Sequence, residues 1–248
     1  MTGGSQPRRM DSSANALIVL AAGRGERMGG RRPKMLLRLE GKPLVYWALK
    51  NIENCPAVGT VVLAAPPGHE AAFRRNVKAW GYKKVRAVVS GGKGRTDSTR
   101  NALSALPAEC RWVGIHDGAR PFTDPDLIRR CFQAAKKSGA AILASACSDT
   151  LKLAAPRGRE RTRRPRIEKT LPRERCWLAQ TPQVFRKDLA MDMHRKPRRS
   201  ATDDASIAES MGIPVEIVPG AADNIKITTP FDLPLARAVL AARRRQWR

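Results

Sequence analysis

Short apolar runs alternate with stretches of helical period along the first three-fifths of the chain. Residues 16–20, 60–65, 85–90, 112–116 and 140–146 have the length of strands and the composition of strands buried on both faces. Between them the period lengthens, and helices are predicted over 43–52, 70–80, 96–106 and 125–138. Pro43 and Pro125 fall at first-turn positions, where a missing N–H leaves no hydrogen bond unmade. Strand–helix alternation of this kind predicts an α/β sandwich, a mostly parallel sheet between helical layers. Ligands in such folds sit beyond the carboxyl ends of the strands, so the loops that follow strands matter most.

The regularity stops at residues 147–181, which are rich in Arg and Pro and keep no clear period. So long a connection in a compact domain points to a functional excursion. Helical segments near 187–194 and 204–211, a strand near 215–218 and a last helix from about residue 231 complete the pattern, with Pro234 in the early turns of that helix. We therefore expect a flexible basic tail over residues 1–13 and a single domain over 14–248, with an arm at about 147–181.

The first strand runs into small residues, Ala21, Ala22, Gly23 and Gly25, and then into the cations Arg24, Arg27, Arg31, Arg32 and Lys34. Backbone N–H groups in such a loop can approach phosphate oxygens because no Cβ intervenes, and the cations supply opposite charge. This predicts a site for a polyanionic phosphate, in the first instance a nucleotide. A dinucleotide fingerprint is excluded: its third glycine position is Met28, and the next strand ends in Ala65-Pro66-Pro67 instead of a ribose-binding acid. A Walker loop is excluded by the lack of G-K-[ST].

Two more loops follow strands. Gly91-Gly92-Lys93-Gly94-Arg95-Thr96-Asp97-Ser98 can let a planar base lie against the backbone, and the Ser98 hydroxyl suits the edge of cytosine; it also reads as a glycine turn with Thr96 or Asp97 capping a helix. In His116-Asp117-Gly118-Ala119-Arg120-Pro121 the Asp117 carboxylate can hold Mg²⁺ or a sugar hydroxyl, and Arg120 can pair with it or brace the turn.

Taken in order, A-A-G-R-G-E-R-M…P-K, G-G-K-G-R-T-D-S, H-D-G-A-R-P, D-T-L-K, W-L-A-Q-T-P-Q with T-L-P-R before it, T-D-D-A-S and A-D-N-I-K-I-T resemble the signature blocks of the 2-C-methyl-D-erythritol 4-phosphate cytidylyltransferase family. The resemblance spans residues 16–237. It implies a three-layer, Rossmann-like nucleotidyltransferase with a protruding dimerisation arm. The implied activity joins CTP and a polyol phosphate, 2-C-methyl-D-erythritol 4-phosphate, with release of pyrophosphate, Mg²⁺ or another divalent cation, and a homodimer. By the same resemblance Arg27, Lys34, Arg173 and Lys226 are catalytic, and Ala21, Ala22, Gly23, Gly25, Gly92, Ser98, Asp117 and Gly118 bind nucleotide. Asp117, Arg120, Thr150, Arg173, Thr181 and Lys226 contact the polyol phosphate, with Thr150 and Arg173 crossing to a second subunit. Asp117 and Asp223 are the candidate metal contacts. Three positions depart from the pattern: Leu20 replaces a proline, Lys93 an acid and Gly118 an alanine. A cytidylyltransferase for ribitol 5-phosphate shares much of the pattern and is the alternative within the class.

Composition modifies this picture in one respect. The formal charge is +25 over 248 residues, much of it in the runs 157–166, 195–199 and 243–248. That charge predicts nonspecific retention on nucleic acid and raises a basic nucleic-acid-binding module as a rival class. The runs carry little aromatic interleaving for base stacking, which favours a solvated surface. Five dispersed cysteines without C-x-x-C read as reduced thiols in or near the core, and three scattered histidines form no metal-ligand spacing. No apolar run approaches the about 18 residues of a membrane span, and the first thirteen residues lack the apolar segment of a signal peptide; the expected address is cytoplasmic.

Overall fold

The computed structural model describes residues 12–23, 25, 33–155, 164–195 and 201–246. In chain order the elements are β1 (Asn15–Leu20), β2 (Arg38–Leu39), β3 (Lys42–Pro43), α1 (Leu44–Glu53), β4 (Thr60–Ala65), α2 (Glu70–Trp80), β5 (Val85–Ser90), α3 (Arg95–Leu103), β6 (Trp112–Asp117), α4 (Pro125–Ser138) and β7 (Ala140–Ala146). There follow β8 (Lys152–Ala154), β9 (Ile167–Thr170), β10 (Trp177–Arg186), α5 (Lys187–His194), α6 (Asp204–Ser210), β11 (Glu216–Pro219) and α7 (Asp232–Gln246).

Successive side chains of a strand point to opposite faces, and β1 uses both for packing. Leu17 and Val19 enter a core shared with α1, α2, α4 and α7, while Ile18 enters a second core with α3, α5 and α6. The result is three layers around a sheet ordered β11-β7-β10-β6-β1-β4-β5. Every pairing is parallel except those of β10, which runs antiparallel to β6 and β7. The α/β class is therefore as expected, and the strands at 60–65, 85–90 and 140–146 have the expected bounds. Helix α4 starts on its local chemistry: Asp124 accepts from the Asp126 N–H, Pro125 stands at the first turn, and Gly139 ends the helix at φ 88°.

Three expectations need correction. Pro43 is not in the first turn of α1 but just before it, as the capping residue. Helix α3 ends at Leu103, three residues early. Strand β10, ten residues long, was not expected at all. Pro182 inside it argues against a strand interior, yet a register shift between Ala179 and Gln183 accommodates the proline. The excursion also contains structure: β8 and β9 pair as an antiparallel ribbon. Leu153 and Ile167 on that ribbon are exposed, as are Trp177 and Leu178 at its root. Among the described residues no helix is long and apolar enough to cross a membrane.

Candidate active site

A cavity of about 910 Å³ opens at the carboxyl ends of the parallel strands. Its wall comes from the loops after β1 (Leu20, Ala22, Gly23, Gly25), β4 (Pro67), β5 (Gly91 to Arg95) and β6 (Asp117, Ala119). Lys34, Met35, Ser98, Lys226 and Thr228 complete it. Two glycines are required by close approach. Gly25 has φ 71°, and a Cβ there would fall 2.6 Å from Lys34 Cβ. A Cβ on Gly91 would collide with Ala22 Cβ, so the loops after β1 and β5 touch only because it is glycine.

The floor is built around Asp117. Its Oδ2 lies 2.6 Å from Lys226 Nζ and its Oδ1 3.4 Å from Arg95 Nε. Its N–H donates to Thr181 Oγ1 at 3.1 Å. Burial alone would raise the pKa of this carboxyl; the charges of Arg95 and then Lys226 more than reverse that and hold it well below the usual carboxylate range. Arg95 also reaches Asp204, with Nη1 2.7 Å from Oδ2. Burial disfavours its charge, and Asp204 followed by Asp117 restores it. Lys34 Nζ donates to the Ile227 carbonyl at 2.6 Å, which joins the loop after β1 to the N-I-K-I-T block beside Lys226. Ser98 Oγ accepts from the Gly92 N–H and donates to the Gly94 carbonyl, which leaves one acceptor lone pair free in principle for a donor in the cavity.

The expected site residues divide accordingly. Ala22, Gly23, Gly25, Lys34, Gly92, Ser98, Asp117 and Lys226 line the cavity. Arg27 lies outside the described residues. Ala21 and Gly118 sit behind the wall, where their N–H groups donate to the carbonyls of Ala64 and Leu20. Arg120 is a brace rather than a cavity residue: its guanidinium donates to the carbonyls of Asn224 (2.6 Å) and Ala179 (3.1 Å). Thr181 is 4% exposed, and its hydroxyl is engaged by the Asp117 N–H and His116 Nδ1. The carboxylate of Asp223 meets the Arg243 guanidinium at 2.6 Å and does not line the cavity. Thr150 and Arg173 are exposed in the arm, away from the cavity of their own chain, and Arg173 Nη1 donates to the Ser148 carbonyl at 3.1 Å.

Two features were not foreseen. Arg95 links two acids at the floor; the signal available was its place directly after the glycines that open α3. His116 is wholly buried, with Nε2 3.3 Å from the Arg120 carbonyl, and burial pushes its pKa down to about 4. It is neutral at pH 7 and does not line the cavity. Cys55, Cys110 and Cys131 are buried small hydrophobes, and burial raises each thiol. Among the described residues no three His, Cys, Asp or Glu side chains form a metal-binding group.

Comparison with known proteins agrees with the motifs. The family described as "IspD: 2-C-methyl-D-erythritol 4-phosphate cytidylyltransferase" matches residues 15–242. A protein of that name from Pelotomaculum thermopropionicum is 47% identical over 92% of this chain and 94% of its own length. One from Dehalococcoides mccartyi is 41% identical over 90% and 94%. The crystal structure of a 4-diphosphocytidyl-2C-methyl-D-erythritol synthase from Anaerococcus prevotii superposes with a TM-score of 0.80 at 27% identity, covering 95% of this chain and all of that one. That of the Thermus thermophilus cytidylyltransferase gives 0.69 at 33% identity over 90% and 98%. With the family match running from β1 into α7 and these relatives sharing nearly its full length, the chain belongs to the 2-C-methyl-D-erythritol 4-phosphate cytidylyltransferase family.

Proposed function

We propose that the chain transfers a cytidylyl group from CTP to 2-C-methyl-D-erythritol 4-phosphate and releases pyrophosphate. The observation that carries this reading is the convergence of the glycine loops after β1 and β5 on Lys34, Asp117 and Lys226 in one cavity. The attacking group is a phosphate monoester oxygen. Its second pKa is about 6, so it is mostly ionised at neutral pH and needs no general base. The protein's task is then positioning and neutralisation of charge. Gly23 and Gly25 leave the backbone open to phosphate oxygens. Lys34, with Arg27 beside it in sequence, neutralises the charge that develops at the α-phosphorus and on the leaving pyrophosphate. Ser98 accepts from the base, Asp117 meets the ribose, and Lys226 aims the incoming phosphate.

A divalent cation suits this donor set as a companion of the triphosphate. Asp117 is the one acid among the described lining residues, and magnesium held with a nucleotide ordinarily takes one or two carboxylates plus phosphates and water. Asp117 would hold it, and such an ion neutralises triphosphate charge.

The arm is read as crossing to a second copy in a two-fold dimer. Exposed Leu153, Ile167, Trp177 and Leu178, together with Arg173 lying away from its own cavity, support that reading. Retention on nucleic acid is expected from charge alone and should vanish with salt.

The test is pyrophosphate release from CTP, UTP, ATP and GTP, each with methylerythritol phosphate and with ribitol 5-phosphate. CTP with methylerythritol phosphate should be preferred; preference for ribitol 5-phosphate, or no release with any pair, would overturn the reading. The relatives above are named for methylerythritol phosphate, so ribitol 5-phosphate enters as the contrast.

A further inference from the structure

We propose that Asp204, which does not line the cavity, is a positioning residue for the transfer reaction: it holds the Arg95 guanidinium so that Arg95, Asp117 and Lys226 keep one arrangement on the cavity floor. The proposal rests on the cytidylyl-transfer reading above.

The block T-D-D-A-S has an ordinary explanation for only one of its acids. Asp203 caps α6, accepting from the Ser206 N–H at 2.9 Å. Asp204 is not needed for that cap, yet its carboxylate is fully buried, a costly place for a charge unless partners compensate. Its partners are Arg95, 2.7 Å from Oδ2, and His194, whose Nε2 stands 3.0 Å from Oδ1; neither contact has the alignment of a hydrogen bond. Arg95 extends from there to Asp117, and Asp117 to Lys226.

The main chains of both acids are anchored on the same strand. Gln183 Oε1 accepts from the N–H groups of Asp204 and Ala205, each at 2.9 Å, and Gln183 Nε2 donates to Asp203 Oδ2. Two residues earlier, Thr181 accepts the Asp117 N–H. Strand β10 therefore fixes where the two acids stand, and Arg95 spans them with its fork, Nη1 toward one and Nε toward the other. A guanidinium released by Asp204 is free to turn both arms of its fork on Asp117, the geometry it prefers with a single carboxylate. That would displace Lys226 from Asp117 Oδ2. Since Lys226 is the residue assigned to the incoming phosphate, the damage should fall on the polyol phosphate more than on CTP.

The experiment compares the full-length wild type, Asp204→Asn, Arg95→Lys and the double variant, by steady-state kinetics in both substrates and by thermal unfolding. Asn keeps the shape of Asp and an acceptor but loses the charge; Lys keeps the charge of Arg but cannot span both acids. Each single variant should lower kcat/KM for methylerythritol phosphate roughly 10- to 100-fold, with a smaller change in KM for CTP. The double variant should be no worse than the worse single. The proposal is overturned if Asp204→Asn is kinetically wild type, if the two losses multiply in the double, or if both substrates suffer equally and in step with the melting temperature. Should Asp204→Asn fail to fold, Arg95→Lys decides: wild-type constants in that folded variant overturn the proposal. If the wild type itself releases no pyrophosphate from CTP and methylerythritol phosphate, the functional reading fails, and this inference with it.

Discussion

Asp117 at the cavity floor is 8% exposed and is held by Arg95, Lys226 and Thr181 of its own chain. Arg173 in the arm is exposed and touches one carbonyl, that of Ser148. Both belong to blocks that resemble the family's signatures, yet one is preorganised within the chain and the other is not. The floor is finished because it lies where strands end: β6 delivers Asp117, β10 braces it, and the loops after β1 and β5 close over it with glycine at the contact. The arm is a two-stranded ribbon with apolar residues facing out, and such a ribbon is marginal without something to pack on. A preorganised charge lowers a barrier without reorganisation during the reaction, whereas Arg173 must first be brought to a site.

The sharpest way to break this contrast is to remove a charge from each side. Lys34→Ala should lower turnover about a hundredfold or more, with CTP affinity less affected, as expected for a group that acts in the transition state. Arg27→Ala should match it. Near-normal turnover in Lys34→Ala would remove the cavity from the mechanism.

The arm is tested by mixing. Lys34→Ala and Arg173→Ala proteins, each nearly inactive, are co-expressed with different tags. If the arm crosses a two-fold axis, a mixed dimer has one site with both changes and one with neither. Random pairing then makes roughly a quarter of all sites wild type, and activity should rise toward that fraction. If mass measurement shows mixed dimers while activity stays at the mutant level, Arg173 acts within its own chain or not at all.

A smaller change probes the contact between the two glycine loops. Gly91→Ala places a methyl group against Ala22 Cβ, and overpacking of this kind costs about 1–3 kcal/mol. Stability measured by urea should fall by that amount, and KM for CTP should rise because the loops are forced apart. An unchanged KM with lowered stability would confine the contact to packing.

The same contrast explains what was legible in the sequence. Strands such as Thr60–Ala65 were readable because an uninterrupted apolar run of that length has little choice but to be buried. The cavity wall was readable because its residues follow those strands directly. Strand β10 was hidden because Gln180, Thr181, Pro182 and Gln183 look like a loop; their polar atoms serve as braces inside the sheet, which no local pattern announces. Arg120 and Thr181 were taken for substrate contacts for the mirror reason: the motif names the residues but not the direction in which each side chain faces. Arg95 and Asp204 are 109 positions apart, and only the folded chain brings that pair together.

His116 supplies the smallest effect and the cleanest separation of stability from catalysis. Its pKa is about 4 in the folded protein against an ordinary value of 6.5, because burial penalises the charged ring. The unfolded chain therefore takes up the proton first as the pH falls. The stabilisation is complete above pH 6.5 and is lost progressively as the pH drops toward 4. Between pH 7 and 5.5 the loss should be about 1 kcal/mol. Asp117 also has a depressed pKa, but its contribution is lost only below the ordinary carboxylate range, outside this window. Urea unfolding of wild type and His116→Asn at the two pH values checks the assignment. The wild type should lose about 1 kcal/mol more than the variant. Equal losses would show that another group titrates. Activity should behave differently: its acid limb near pH 6 belongs to the substrate phosphate and should persist in His116→Asn. A limb that disappeared with the imidazole would mean that a ring facing Thr181 and Arg120 takes part in the chemistry, and the floor of the cavity would have to reorganise to let it.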